Sequence, residues 1–146
     1  MKAPQVKDTI RLLEIRDTAL SVDEVFAAVS DPTAGGVALF VGAVRSSDGG
    51  REVTALGYSA HPSALDELRA VAEEVAARHP VRALAAVHRV GDLVVGDLAV
   101  VVAVACAHRG DAFAAARSLI DELKSRVPIW KHQVFEDGAQ EWVGLP

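Results

Sequence analysis

Five cations sit where the chain changes character. Arg45 follows the apolar run Phe40-Val41-Gly42-Ala43-Val44, His108 and Arg109 follow the apolar run 98–107, and Lys124 and Lys131 bracket Pro128 and Trp130. Side chains at the ends of buried elements are placed by a rigid scaffold yet stay reachable, which is how loops build binding sites. Arginine there holds a phosphate or carboxylate by a two-pronged contact, whereas lysine is a point charge or a proton carrier. The first amides of a helix opening near Asp111 would add donors for the same anion. The combination predicts a pocket for an anionic substrate. Two lysines facing one pocket disfavour each other's charged form, so one of them, Lys124 before Lys131, is a candidate base or nucleophile. The competing reading makes the strand-end cations merely solvated, Lys124 a partner of the helix dipole and Lys131 a charge that blunts a sheet edge.

Other groups offer less. Cys106 lies beside Val101-Val102-Ala103-Val104-Ala105 with only His108 as a possible activator, and reads as a small apolar core residue. His61, His79, His88 and His132 lack metal-ligand spacing, so no metal is expected. Asp92 and Asp97 read as turn formers rather than a carboxylate pair. Gly35-Gly36 and Gly49-Gly50 lack the strand-loop-helix setting of a nucleotide motif, so neither supports an ATP site. Trp130 and Trp142 read as hairpin or interface anchors, and Trp130 could wall a pocket for a flat heterocycle.

The elements that hold these residues follow from periodicity. Ser21 and Glu24 have capping-box spacing, which predicts a helix over 22–30 stopped by Asp31 and Pro32. Residues 35–45 read as a strand covered on both faces, 46–51 as a mobile polar loop and 52–60 as a second strand. Leu65, Leu68, Val71, Ala72 and Val75 predict an amphipathic helix within 62–78. Residues 81–90 and 97–107 read as neighbouring strands joined through Gly91, Asp92 and Gly96. Asp111 is the expected cap of a further helix with a buried stripe of Phe113, Ala116, Ile120, Leu123 and Val127, ended by Pro128. Residues 129–135 and 139–143 form a closing hairpin around Glu136-Asp137-Gly138. The sum is a β-rich α+β arrangement.

Composition bounds the rest. The chain has 146 residues, 51% of them hydrophobic, enough for one domain over 1–146 with a real core. Fifteen Lys and Arg against twenty Asp and Glu give a net charge of −5, which argues against a general nucleic-acid binder, so any anion site is local. A single cysteine cannot form an internal disulfide and suits a reducing compartment. The first sixteen residues, with Lys2, Lys7, Asp8 and Arg11, hold no signal-peptide or membrane-length apolar run, and a cytoplasmic protein is expected.

Four ordered blocks then carry a resemblance: Phe40-Val41-Gly42-Ala43-Val44-Arg45, His88-Arg89-Val90-Gly91-Asp92-Leu93 with Gly96-Asp97, Ala107-His108-Arg109, and Leu123-Lys124-Ser125-Arg126-Val127-Pro128-Ile129-Trp130-Lys131. Together they span nearly the whole chain, which resembles the large, catalytic subunit of molybdopterin synthase. The resemblance implies an α/β-hammerhead fold and a central homodimer within a heterotetramer, with a small ubiquitin-like sulfur-carrier subunit at each end. It implies sulfur transfer from the carrier's C-terminal Gly-Gly thiocarboxylate to cyclic pyranopterin monophosphate, forming the molybdopterin dithiolene in molybdenum-cofactor synthesis, with no cofactor of its own. Carried over by motif, Lys124 and Lys131 are catalytic, and Ala43, Val44, Arg45, His108, Arg109, His132 and Gln133 join them in binding substrate.

The chain departs from the family pattern at Ser59, where an acidic residue is more usual, at His61, where an aromatic one is, and at Gln133, which replaces a frequent Glu. The sequence stops at Pro146, without the basic tail many relatives carry after the position of Trp142-Val143, so a cation crossing the dimer is expected to come from elsewhere. Two other functions compete: an anion- or partner-binding module without turnover, and an acyltransferase or hydrolase with Cys106 as nucleophile.

Overall fold

The computed structural model describes residues 6–143; Lys2 and Pro146, named above, lie outside them. Two sheets share the chain in an α+β fold. The first is ordered β1-β5-β7-β2, from strands β1 (Ile10–Arg16), β2 (Gly36–Ala43), β5 (Val81–Arg89) and β7 (Leu98–Cys106). The second is ordered β3-β4-β8-β9, from β3 (Ser47–Asp48), β4 (Arg51–Ala60), β8 (Ile129–Phe135) and β9 (Gln140–Val143), with β6 (Gly91–Leu93) also paired to β4. The helices are α1 (Val6–Thr9), α2 (Val22–Ala28), α3 (Ala64–Arg78) and α4 (Arg109–Arg126).

The period-2 geometry of β5 and β7 divides the core. Leu84, Ala86, Val100, Val102, Val104 and Cys106 face α3 and α4, while Ala83, Ala85, Val87, Val101, Ala103 and Ala105 face Val25 and Val29 of the α2 segment. Covered on both faces, these strands can be continuously apolar and rich in alanine. A third cluster, around Val44, Leu56, Leu93, Ala99 and Phe135, joins the sheets beside the site.

Helix α2 starts as expected, with the Ser21 hydroxyl accepting the Glu24 amide at 3.1 Å. Helix α3 and the closing hairpin also appear where periodicity places them. Several expectations change. Strand β1 had no sequence expectation; it pairs in parallel with β5, more than seventy residues away. The polar stretch after Arg45 is not a loop but the β3–β4 hairpin, turned by Gly49 and Gly50 at φ of 60° and 79°, values glycine adopts without strain. The connection between β5 and β7 holds β6, so it spans to the second sheet rather than closing a tight turn. Helix α4 begins at Arg109 with His108 at its N-cap, so Asp111 sits in the first turn and is not the cap, and Phe113 is exposed where a buried residue was expected. Ala112, Ala115 and Leu119 fill the stripe instead.

Strand β2 is not covered on both faces. It forms an edge of the first sheet, and Val37, Leu39, Phe40 and Val41 are each about 40% exposed. Among the described residues, no helix is long and apolar enough to cross a membrane.

Candidate active site

A cleft of about 470 Å³ opens where the end of β2, the last turns of α4 and strands β4 and β8 meet. Arg45, Lys124 and Lys131 line it. Helix α4 brings Lys124 there because Ile120 and Leu123 lie in its buried stripe, and an amine one residue on emerges at the rim. Val127 closes the helix through its amide to the Leu123 carbonyl at 3.0 Å, and Pro128 has no amide to continue it. The chain therefore turns at once into β8, where alternation aims Lys131 at the same cleft.

The floor is less charged than the rim. Tyr58 of β4 pairs across the sheet with Lys131, and its ring meets that of His88. Both side chains line the cleft together with Phe40, Ala43 and Val100. His88 is 7% exposed, and its Nδ1 lies 2.7 Å from the Arg89 carbonyl. A carbonyl only accepts, so Nδ1 carries the proton and Nε2 keeps its lone pair. Burial, and secondarily the charge of Lys124, pull its pKa down to about 4, against the opposing Arg89 hydrogen bond. The group is thus a neutral imidazole under a cationic rim. Burial pushes the Tyr58 phenol up, so it stays protonated as a donor. Close approach shapes the wall: a Cβ at Gly42 would stand 2.7 Å from Val100 Cγ1.

A smaller depression adjoins the cleft behind Lys131, lined by Val44, Arg45, Asp48, Tyr58 and Gln133 among others. Val44 is buried and fixed by its backbone, which exchanges hydrogen bonds with Asp97 and Gly96 at 2.9 Å each. Gln133 is 2% exposed and donates from Nε2 to Asp48 Oδ2 at 2.7 Å.

The remaining expected site residues lie elsewhere. His132 is on the other face of β8, stacked on Trp142 with centroids 4.4 Å apart and 2.9 Å from Gln140 Oε1 through Nε2. A single step along a strand reverses the face, so His132 cannot share the face of β8 that carries Lys131 to the cleft and Gln133 to the smaller depression. His108 and Arg109 begin α4, and Arg109 is fifteen residues before Lys124, about 22 Å along a helix. They sit instead beside Gly36, at the opposite end of β2 from Arg45. Within one chain, three of the five cations meet. Ser59 pairs with Trp130 on the sheet, and His61 bonds Ser63 at 2.9 Å and meets Trp130 edge-on, outside the cleft. Cys106 is fully buried in the α3–α4 face, its thiol pushed up chiefly by that burial.

Tyr58, His88 and Asp48 had no site expectation. One signal was available for His88: it is a polar residue closing the apolar run 83–87 within β5.

Known proteins resemble this chain over most of its length. The family model described as MoaE protein matches residues 15–126. The molybdopterin synthase catalytic subunit 1 of Mycobacterium tuberculosis is 44% identical over 131 residues, covering 89% of this chain and 88% of that protein. The molybdopterin synthase catalytic subunit of Bos taurus is 38% identical over 132 residues, covering 90% and 70%. Among solved structures, the molybdopterin synthase crystal structure from Staphylococcus aureus superposes with a TM-score of 0.84 at 32% identity, covering 90% of this chain and 96% of that one. With a family-model match over most of its length and relatives this similar, the chain belongs to the MoaE protein family.

Proposed function

We propose that this chain, acting as one domain in the cytoplasm, is the catalytic subunit of a molybdopterin synthase. It moves sulfur from the C-terminal thiocarboxylate of a small ubiquitin-like carrier to cyclic pyranopterin monophosphate, forming the molybdopterin dithiolene. The observation that carries this reading is the convergence of Arg45, Lys124 and Lys131 on one cleft in a chain of this family.

The chemistry suits the residues. A thiocarboxylate is already a good nucleophile, so the cleft has to orient two anions and stabilise charge as the pterin ring opens and acyl intermediates break down. Arg45 and Lys131 supply fixed positive charge at the rim, Lys124 transfers protons, and Tyr58 with neutral His88 offers a donor and an acceptor to the polar edge of a heterocycle.

The distant His108 and Arg109 fit a homodimer. Among the described residues no strand pairs with the outer edge of β2, and pairing it antiparallel with a second copy about a two-fold axis sets the Gly36 end of one strand beside the Ala43 end of the other. The partner subunit's His108 and the partner subunit's Arg109 then approach the cleft and complete its anion grip.

The test is a reconstituted reaction containing thiocarboxylated carrier and cyclic pyranopterin monophosphate. Dithiolene formation is expected, with Lys124→Ala lowering kcat by about 10²- to 10⁴-fold. Binding of both substrates without product would overturn the enzyme reading, and full activity of Lys124→Ala would remove that lysine from the mechanism.

A further inference from the structure

We propose that Asp48 is a positioning residue for Lys131 and Arg45, an inference that rests on the sulfur-transfer reading of the same cleft. Asp48 ends β3, directly before the Gly49–Gly50 turn, and does not line the main cleft. Its carboxylate stands behind the two cations that do. Oδ2 is 4.0 Å from Lys131 Nζ, and Oδ1 is 3.5 Å from a terminal nitrogen of Arg45. Asp48 is the only acid among the described residues lining the smaller depression.

Two features hold the carboxylate in place. The hairpin fixes its backbone through the Asp48–Arg51 register pair. Gln133 then donates to it at 2.7 Å, and since a carboxylate only accepts, the amide nitrogen has to face Asp48. Gln133 is sealed from water, so this bond has no solvent substitute. The Gln133 hydrogen bond, followed by the charges of Lys131 and Arg45, holds the Asp48 carboxyl below its ordinary range against the opposing effect of burial. A charged acid therefore persists behind the cleft at neutral pH.

Arg45 explains why such an anchor matters. Its side chain is 75% exposed, and a long exposed cation samples many rotamers unless something holds it. One carboxylate behind two cations restricts both while leaving a net positive charge toward an incoming anion. At position 133 a neutral donor serves this arrangement, whereas a second carboxylate would repel the first.

The experiment compares Asp48→Asn, Asp48→Glu and the swap Asp48→Asn/Gln133→Glu in the reconstituted reaction. Asp48→Asn keeps the shape and can still offer an oxygen to Gln133. It is expected to fold with an unchanged melting temperature and to lose about 10- to 100-fold in kcat/KM, the scale of a misplaced catalytic group. Asp48→Glu and the swap, which return a carboxylate to the cluster, are expected to recover most of that loss. A second readout needs no turnover: in the protein with 13C-methylated lysines, the Lys131 resonance shifts in Asp48→Asn while that of Lys124 stays. Wild-type kcat/KM in Asp48→Asn, no recovery in both carboxylate-restoring variants, or an unmoved Lys131 resonance would each overturn the proposal. An inactive wild-type protein whose Lys131 resonance still responds would instead sink the functional reading and leave the pairing standing.

Discussion

The rings of His88 and Tyr58 meet edge to face, with centroids 5.0 Å apart and planes at 75°, at the floor of the cationic cleft. Burial at this floor keeps His88 uncharged, which ties stability to pH. An unfolded histidine titrates near 6.5, while His88 in the fold titrates at about 4. Neutral His88 therefore contributes fully above pH 6.5; the unfolded state gains protons first as pH falls, and stability drops between 6.5 and 4 before levelling off. The loss is about 3 kcal/mol on a scale of about 1.4 kcal/mol per unit. Urea unfolding at pH 7 and pH 4.5 should show this extra fall in the wild type relative to His88→Gln. Parallel pH dependences would refute it.

Complementation between protomers tests the composite site. Lys124→Ala and Arg109→Ala homodimers are each expected to be nearly inactive. If each cleft takes Lys124 from one chain and Arg109 from its partner, random reassortment restores one intact site per mixed dimer, about a quarter of wild-type activity overall. Co-refolding the two variants and assaying the mixture measures it; no recovery would place both residues in one chain's site or in neither.

The exposed strand makes a simpler demand. Leu39 lies near the middle of β2 and is 42% exposed. Leu39→Glu puts a charge on the proposed seam and is expected to shift the protein from dimer to monomer in sedimentation velocity, with activity falling in step. A dimer unaffected by the change would move the interface elsewhere.

Cys106 should be dispensable. Its thiol is sealed in the core and titrates high, so little thiolate forms. Cys106→Ala is expected to keep kcat within about twofold of wild type, and iodoacetamide to label the folded protein slowly. Rapid inactivation by the reagent, reversed in the variant, would revive the nucleophile hypothesis.

Leu119 gives the stability counterpart. Fully buried where α4 meets the sheet, it should cost about 3 kcal/mol when cut to alanine, read as a lower urea midpoint with an unchanged slope. Activity per folded molecule should stay near wild type, since Leu119 does not line the cleft.

Local pattern explains which parts of the molecule were legible. Helices α2 and α3 and the closing hairpin announce themselves through caps, periodicity and turn residues, all of which act over a few positions. Strand β1 does not, because its pairing with β5 is decided by residues far along the chain and its own sequence mixes Arg11, Glu14 and Arg16 among the apolar positions. Phe113 is exposed although its type suggests burial, because small Ala112, Ala115 and Ala116 let α4 pack closely on the sheet.

The site shows the same division. Arg45, Lys124 and Lys131 were legible because the end of a strand or helix is a local event. Asp48 and Tyr58 acquire meaning only from neighbours across the sheets, and His88 offers in sequence no more than a polar residue at the end of an apolar run. The resemblance assigns His132 to the site with Lys131, yet neighbours along a strand face opposite ways, and His132 stacks on Trp142 instead.

The bare flank of β2 also bears on how the protein survives its own synthesis. A freshly released protomer carries an adhesive border of valine, leucine and phenylalanine, the kind of template on which stray chains accumulate. On the proposed assembly, the event that hides this hazard also finishes the catalyst, so a solitary copy would be idle as well as adhesive.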